Sequence, residues 1–185
     1  MKATETLKHE HRVIELVLGA LREQADRVEA GQPLDRERAE KTLEVLRNFA
    51  DRCHHGKEER LLFARLEQHG LPRESGPLAV MLHEHDSGRA HLRALANAIP
   101  GAIGGDERAR REFVRQARAY VDLLTAHIGK EDHVLFRLAD QTLSPEEDEQ
   151  LARDFAALER EEIGEGVHEK YHEWAHELAG EAMPT

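Results

Sequence analysis

Apolar side chains recur along the first part of the chain at spacings that alternate between four and three residues. Over residues 4–30 this stripe passes through Leu7, Ile14 and Leu18 and continues at later apolar positions, and His11 occupies one place in it. The period is that of an amphipathic α-helix with one face in a protein core. No segment sustains an alternation with period two, so the pattern predicts helices and no β-sheet.

Turn and capping residues divide the chain into five predicted helices. Their approximate ranges are 4–30, 35–68, 77–99, 106–141 and 145–179. Asp35 is the predicted N-cap of the second helix, Pro100-Gly101 ends the third, and Ser144 opens a capping box. Four long helices with short connections predict an all-α fold, an up-down-up-down four-helix bundle. Residues 1–142 then form the bundle, and residues 143–185 form a C-terminal helical extension that packs on it.

The sequence also contains a repeat that relates two pairs of helices. The run that begins at His54 on the second helix matches the run that begins at His127 on the fourth, at an offset of 73 residues. His11 on the first helix matches His85 on the third, at an offset of 74 residues. Two such similar offsets indicate two copies of one helical hairpin. Packed about a pseudo-two-fold axis, the copies place equivalent histidines opposite each other inside the bundle.

Composition and charge narrow the choice of partners. The 185 residues include 37 acidic and 26 basic side chains, for a formal net charge of −11. This charge argues against nucleic acid and anionic membranes as partners, because both attract basic proteins. No apolar run approaches the ~20 residues of a membrane span. The N-terminus lacks the apolar stretch of a signal peptide, so we expect a cytoplasmic protein. The single cysteine, Cys53, excludes an internal disulfide, and the 13 histidines stand out.

Helical geometry identifies the histidines that point inward. An α-helix turns by ~100° per residue, so each side chain can be placed on or off the apolar stripe of its own helix. On this basis Glu59 and Asp132 fall on outer flanks. The predicted inward polar set is His11, His54, Glu58, His85, His127 and Glu131.

Such a polar set has two interpretations. A single inward histidine is readily a hydrogen-bonded core residue. Burying six polar groups without partners, however, would cost several kcal/mol each. A metal ion relieves that cost, since imidazole and carboxylate are ligands for first-row transition metals. The duplicated His-x-x-x-Glu pair, once from His54 to Glu58 and once from His127 to Glu131, favours a two-metal site in which each carboxylate bridges both ions.

These motifs resemble those of the hemerythrin-like family, the HHE cation-binding domains, over about residues 1–140. The resemblance rests on one histidine on the first helix, His-x-x-x-Glu on the second and fourth, and Glu84-His85 on the third. It implies a four-helix bundle around a non-haem centre of two iron ions with an oxo or hydroxo bridge. It assigns four terminal histidine ligands and two bridging carboxylates: His11, His54, His85, His127, Glu58 and Glu131.

Two departures from the family pattern bear on function. The oxygen-carrying members have two ligand histidines on the third helix, and Arg89 stands at the place of the second. Asp132 has the spacing of their fourth-helix aspartate, although Glu131 lies better on the inward face. The chain therefore resembles the bacterial branch with two His-x-x-x-Glu pairs. The resemblance implies that a small oxidant, which is dioxygen, peroxide or nitric oxide, binds or reacts at an open iron position. An iron store or a redox or oxygen sensor without turnover is the alternative, and the redox partner is unidentified.

The fifth predicted helix carries histidines of its own. The segment from His168 to His172 reads His-Glu-x-x-His, a zinc-hydrolase motif, although the composition produces this string readily by chance. A second interpretation is a helix that packs through an apolar stripe with histidines at its edge. A third is that His168 or His172 caps the open end of the bundle and supplies a ligand in place of Arg89. Gly164 and Gly166 would then allow a turn that lays this helix across the mouth of the bundle.

Overall fold

The computed structural model describes residues 2–164 and 166–180, and every regular element in this part of the chain is helical. The α-helices are α1 (Ala3–Glu29), α2 (Arg36–Val45), α3 (Phe63–Gln68), α4 (Gly76–Ile103), α5 (Glu107–Lys130), α6 (Phe136–Thr142), α7 (Pro145–Glu162) and α8 (Val167–Ala179). Three further segments have the wider π-helical turn: π1 (Leu46–His55), π2 (Glu58–Leu62) and π3 (Glu131–Leu135). The prediction of an all-α fold is confirmed.

Four of the helical rods form the bundle. They are α1, the continuous rod α2–π1–π2–α3, α4, and the continuous rod α5–π3–α6. The first and fourth rods are antiparallel, because Arg22 pairs with Asp122 at 3.0 Å while Thr4 donates to Asp140 at 2.7 Å. The order of the rods is that of the predicted up-down-up-down bundle. No helix in the described ranges is both long and apolar enough to cross a membrane.

Helix ends follow local sequence signals with one exception. The Asp35 side chain accepts from the Arg38 backbone N–H at 2.9 Å, and Ser144 forms the predicted capping box with Glu147. The predicted stop at Pro100 is wrong, since α4 continues through it to Ile103. Proline removes only one helical hydrogen bond in this last turn. Burial of apolar side chains in the same turn, including Ala102, outweighs that loss.

The core consists of two apolar clusters. One lies around Leu18, Phe49 and Leu124, and the other around Leu7 and Phe63. Between the two clusters each bundle rod contributes at least one buried histidine, and three of the four rods contribute a buried glutamate. The bundle is therefore crossed by one polar layer with apolar packing above and below it.

The C-terminal helices follow the second rod rather than covering the end of the bundle. On α7, Glu147 contacts His69 and Glu159 contacts Lys57, so α7 runs antiparallel to the second rod. The same direction continues in α8, where Glu177 contacts Lys41. The two extension helices thus form a fifth layer that packs against both α1 and the second rod.

The turn between α7 and α8 contains the two predicted glycines. Gly164 and Gly166 have φ values of 92° and 76°, a region that favours glycine. The expectation that this turn lays the last helix across the mouth of the bundle is wrong. The chain instead resumes beside the second rod, where Tyr171, Ala175 and Leu178 are buried. Of the predicted extension, residue 165 and residues 181–185 lie outside the described part of the chain.

Candidate metal centre

The structure brings all six residues of the predicted inward set into the polar layer. Each has no more than 1% of its surface exposed. A seventh residue, His55, joins them with 3% exposed. Within this layer the nitrogen and carboxylate oxygen atoms form two groups, in each of which all ligand atoms lie within 4.8 Å of one another.

We call these the His11 group and the His85 group. The His11 group consists of His11, His54, Glu58 and Glu131. The His85 group consists of His55, Glu58, His85 and His127. Glu58 belongs to both groups, so the two candidate metal positions are adjacent and share a ligand.

The two carboxylates face both groups. Glu58 Oε1 lies 3.4 Å from His54 Nε2, and Glu58 Oε2 lies 3.5 Å from His85 Nε2. Glu131 Oε2 lies 3.2 Å from His11 Nε2 and 3.2 Å from His127 Nε2. Each carboxylate therefore faces histidines of both groups. Glu58 and Glu131 come from opposite rods, as their places in the sequence repeat require.

The outer ring nitrogen of every histidine in the two groups faces a carboxylate. The Nδ1–H groups donate at 2.7 to 3.4 Å in the pairs His11–Asp132, His54–Glu10, His55–Asp51, His85–Glu59 and His127–Glu84. An ionised carboxylate can only accept, so Nδ1 carries a proton, and in each neutral ring the Nε2 lone pair points inward. Such carboxylate–histidine pairs are the usual outer support of metal-ligating histidines.

Most of the inward polar atoms lack a hydrogen-bond partner within the site. His85 Nε2 and His127 Nε2 are 3.0 Å apart although both carry lone pairs in these tautomers. Among the described residues, His11 Nε2 and both carboxylate oxygens of Glu58 and Glu131 are buried without a hydrogen-bond partner. Buried acceptors left unpaired in this way are costly. One or two cations between the groups would satisfy all of them, so the donor set fits a metal centre.

A cation stands behind each supporting carboxylate, and the two lysine pairs follow the sequence repeat. Lys57 binds Glu10 on one hairpin and Lys130 binds Glu84 on the other. The arginine pairs do not follow the repeat: Arg12 binds Asp132, and Arg89 binds both Glu59 and Asp51. Asp132 therefore supports His11 from outside, while Glu131 faces the interior.

His55 is the inward residue that the sequence reasoning missed. Measured from His54 on an ideal α-helix, it lies ~100° further around the axis and points sideways. Measured from Glu58, however, His54 and His55 are at i−4 and i−3 and flank it on either side. The wider π-helical turn of π1 further narrows the angle between the two rings. The repeat concealed the residue, because Ile128 occupies the matching place.

Electrostatics distribute the protons unevenly among the inward groups. Burial and the facing Glu131 raise the pKa of Glu58 well above its usual value. Burial alone would raise the pKa of Glu131, but His127 and His11 hold it well below its usual value. Burial lowers the pKa of His54 to about 4 despite its bond to Glu10. Burial would also lower the pKa of His11, but Asp132 and Glu131 raise it to about 9.

The structure does not bring the C-terminal histidines to either group. His168 Nε2 lies 3.4 Å from Glu10 Oε1, behind His54, and 3.8 Å from Glu159. His172 packs against the ring of Phe49. Arg89, at the place of the missing family histidine, binds the carboxylates behind His55 and His85.

The predicted zinc-hydrolase motif has no hydrolytic geometry in this arrangement. His168 faces a pair of carboxylates that the Lys57 ammonium already bridges. The glutamate of the motif, Glu169, is exposed to solvent. The His168–Glu10–Glu159 group is considered further below.

Comparison with known proteins agrees with this geometry. The model of the family described as Hemerythrin HHE cation binding domain matches residues 2–139. Uncharacterized proteins of Mycobacterium bovis and of two strains of Mycobacterium tuberculosis are 27% identical over 163 residues, or 88% of this chain. The matched region spans only 63% of the length of these relatives. No solved structure matches the chain.

Proposed function

Since the chain belongs to the hemerythrin family of HHE cation-binding domains, we propose that its buried centre holds two iron ions and binds or reacts with a small oxidant. The oxidant is dioxygen, peroxide or nitric oxide. The observation that carries this proposal is the sharing of Glu58 between the His11 group and the His85 group. Mixed imidazole and carboxylate donors suit iron. Four protein ligands in each group leave positions open for a small molecule.

The residues around the centre support this chemistry in two ways. Carboxylates on Nδ1 fix each imidazole and make its inward nitrogen a stronger donor. Rings cover the centre on its apolar side, with Phe136 stacked 5.4 Å from His11 and Phe63 stacked 6.0 Å from His85. These rings limit access to small molecules and exclude bulk water. When bound, a pair of iron ions would supply two electrons to an oxidant.

Metal content and turnover test the proposal together. Protein purified aerobically from iron-replete cells is expected to carry about two irons per chain and to consume peroxide. In Glu131→Ala the loss of one shared carboxylate should abolish that turnover, while Glu169→Ala, a change of an exposed residue on α8, serves as the matched control. One zinc per chain and no iron would overturn the proposal, as would equal peroxide consumption by both variants.

A sensor or iron store without turnover is the second candidate. The contact from His168 on α8 to Glu10, which in turn accepts from His54, favours the sensor version. It predicts that oxidised and reduced protein differ in the rate at which a protease cleaves α8. Identical digestion of the two forms would count against sensing.

Metal binding is expected to depend on pH. At pH 7 the pKa of about 9 leaves a proton on His11, and this proton must leave before the residue can bind a cation. The raised pKa of Glu58 makes its proton compete with a cation in the same way. Raising the pH removes the competing proton of His11, so the apparent affinity for Zn²⁺ should rise about tenfold per pH unit for each proton released. The proton release can be measured with an indicator dye in weakly buffered protein, against a blank of Zn²⁺ in buffer. An affinity that stays constant from pH 6.5 to 8.5 would contradict the expected protonation of His11.

A further inference from the structure

The two hairpins of the repeat support their metal-facing histidines differently. Glu10 and Lys57 behind His54 match Glu84 and Lys130 behind His127. The Lys57 side chain is completely buried, whereas 42% of the Lys130 side chain is exposed. The same pair of residue types is therefore enclosed on one side of the centre and open to solvent on the other.

The C-terminal helices cause this difference. Lys57 donates to Glu10 and, at 2.7 Å, to Glu159 on α7. His168 on α8 brings Nε2 to 3.4 Å from Glu10 Oε1, a close polar contact without hydrogen-bond geometry, and its ring packs on Phe49. Both extension helices thus reach Glu10, the residue that orients His54. Helix α7 reaches it through Lys57, and α8 reaches it directly through His168.

The charges in this cluster explain why the extension acts on Glu10. Two carboxylates, Glu10 and Glu159, face the single ammonium of Lys57. The imidazole of His168 brings Nε2 close to the same Glu10 oxygen, Oε1, that Lys57 binds, while the other oxygen, Oε2, accepts from His54. Glu10 binds Lys57 and accepts from the His54 Nδ1–H although only 2% of its surface is exposed. Because hydrogen bonds are stronger in a buried environment, this contact fixes His54 more firmly than a solvated carboxylate would.

We propose that α7 and α8 act as a positioning segment that makes the two metal positions unequal. Through Glu159 and His168 they hold Glu10, and Glu10 sets the orientation and donor strength of His54 in the His11 group. The His85 group has no such connection to α7 or α8 among its described contacts. Behind its His127 stands Glu84, and the cation that binds Glu84 is Lys130. His168 is a positioning residue that acts through Glu10. The inference rests on the metal centre of the proposed function.

Coupling of this kind is reciprocal. If docking of α8 raises the affinity of the His11 group for a metal ion, the bound ion must stabilise the docking of α8 by the same factor. Metal occupancy should therefore slow the opening of α8. This consequence can be measured without any turnover.

The test compares His168→Ala with His172→Ala in protein titrated with Co²⁺ against a coloured chelator. His172→Ala removes the same type of side chain one helical turn away, where the contacts are with Phe49 and His168. We expect His168→Ala to weaken one of two binding steps by up to about tenfold, the lower end of the range for outer-shell changes. The other step should stay within about twofold, and His172→Ala should alter neither.

Two further variants assign the affected step. In a His85→Ala background the tighter remaining step belongs to the His11 group, and adding His168→Ala should weaken it. In a His11→Ala background the tighter remaining step belongs to the His85 group, and His168→Ala should leave it unchanged. Equal weakening in both backgrounds, or no weakening in either, would overturn the inference while leaving the metal centre intact. Absence of Co²⁺ binding by the unmodified protein would overturn both.

Limited proteolysis gives the second readout. Trypsin can cut α8 after Lys170, whose side chain lies 3.2 Å from Glu44 in the docked helix. Co²⁺ should slow this cleavage in the unmodified protein and in His172→Ala but not in His168→Ala. If Co²⁺ protects His168→Ala as well as it protects the other two proteins, the proposed connection does not exist.

Discussion

Replacing Glu58 with alanine is expected to abolish metal binding at both positions, whereas His55→Ala should lose only one. Glu58 presents one oxygen to His54 and the other to His85, so each ion loses a ligand when it is removed. His55 belongs to the His85 group alone. Elemental analysis after iron loading should give about two irons for the unmodified protein, about one for His55→Ala and close to none for Glu58→Ala.

Loss of metal in Glu58→Ala must be separated from loss of fold. Both Glu58 oxygens are buried without hydrogen-bond partners among the described residues, so the metal-free protein gains little stability from this carboxylate. We therefore expect the metal-free Glu58→Gln variant, which keeps the side-chain shape, to unfold close to the temperature of the unmodified protein. Its neighbour offers a matched control, because Glu59 only supports His85 from outside.

Glu59→Gln is expected to weaken binding at the His85 group by about 10- to 100-fold without removing it. Two irons retained in Glu58→Ala would contradict the shared-ligand geometry. So would equal losses in Glu58→Ala and Glu59→Gln.

The sequence predicts the architecture well, because local signals carry it. The four bundle rods follow from the apolar period, and the capping interactions at Asp35 and Ser144 occur as predicted. The six inward residues come together because helical angle and the repeat together place them on facing surfaces. These are properties of single helices or of their order along the chain.

What the sequence could not predict depends on how neighbouring helices meet. The π-helical turn at π1 carries no residue signature, and His55 has no counterpart in the repeat. The supporting carboxylates Glu10 and Glu59 lie on the flanks of their own helices, so their role appears only when the adjacent rod is in place. The direction of α8 is set by packing against α1 and by contacts with the second rod, such as Lys41–Glu177, that no helical pattern specifies.

The enclosure of Lys57 predicts an unequal response to one substitution made at two matching places. Lys57→Met keeps the apolar stem but leaves Glu10 and Glu159 without their shared cation. Removal of one partner from a buried ion pair costs about 3–5 kcal/mol of folding free energy. Lys130→Met makes the same change on the other hairpin, where the lysine is 42% exposed, and should cost about 1 kcal/mol or less.

Urea unfolding of the metal-free variants measures this difference directly. Lys57→Met should recover part of its stability at acidic pH. Loss of the ammonium raises the pKa of Glu10 relative to the unmodified protein, although His168 and His54 still lower it. Protonation of Glu10 at low pH therefore relieves the buried charge, and the destabilisation returns as the pH rises through that pKa. Lys130→Met should show no such recovery, because solvent already screens Glu84 once the exposed lysine is removed. Equal losses in the two variants at pH 7 would mean that α7 and α8 do not enclose the Glu10–Lys57 pair, and the inequality of the two metal positions would lose its physical basis.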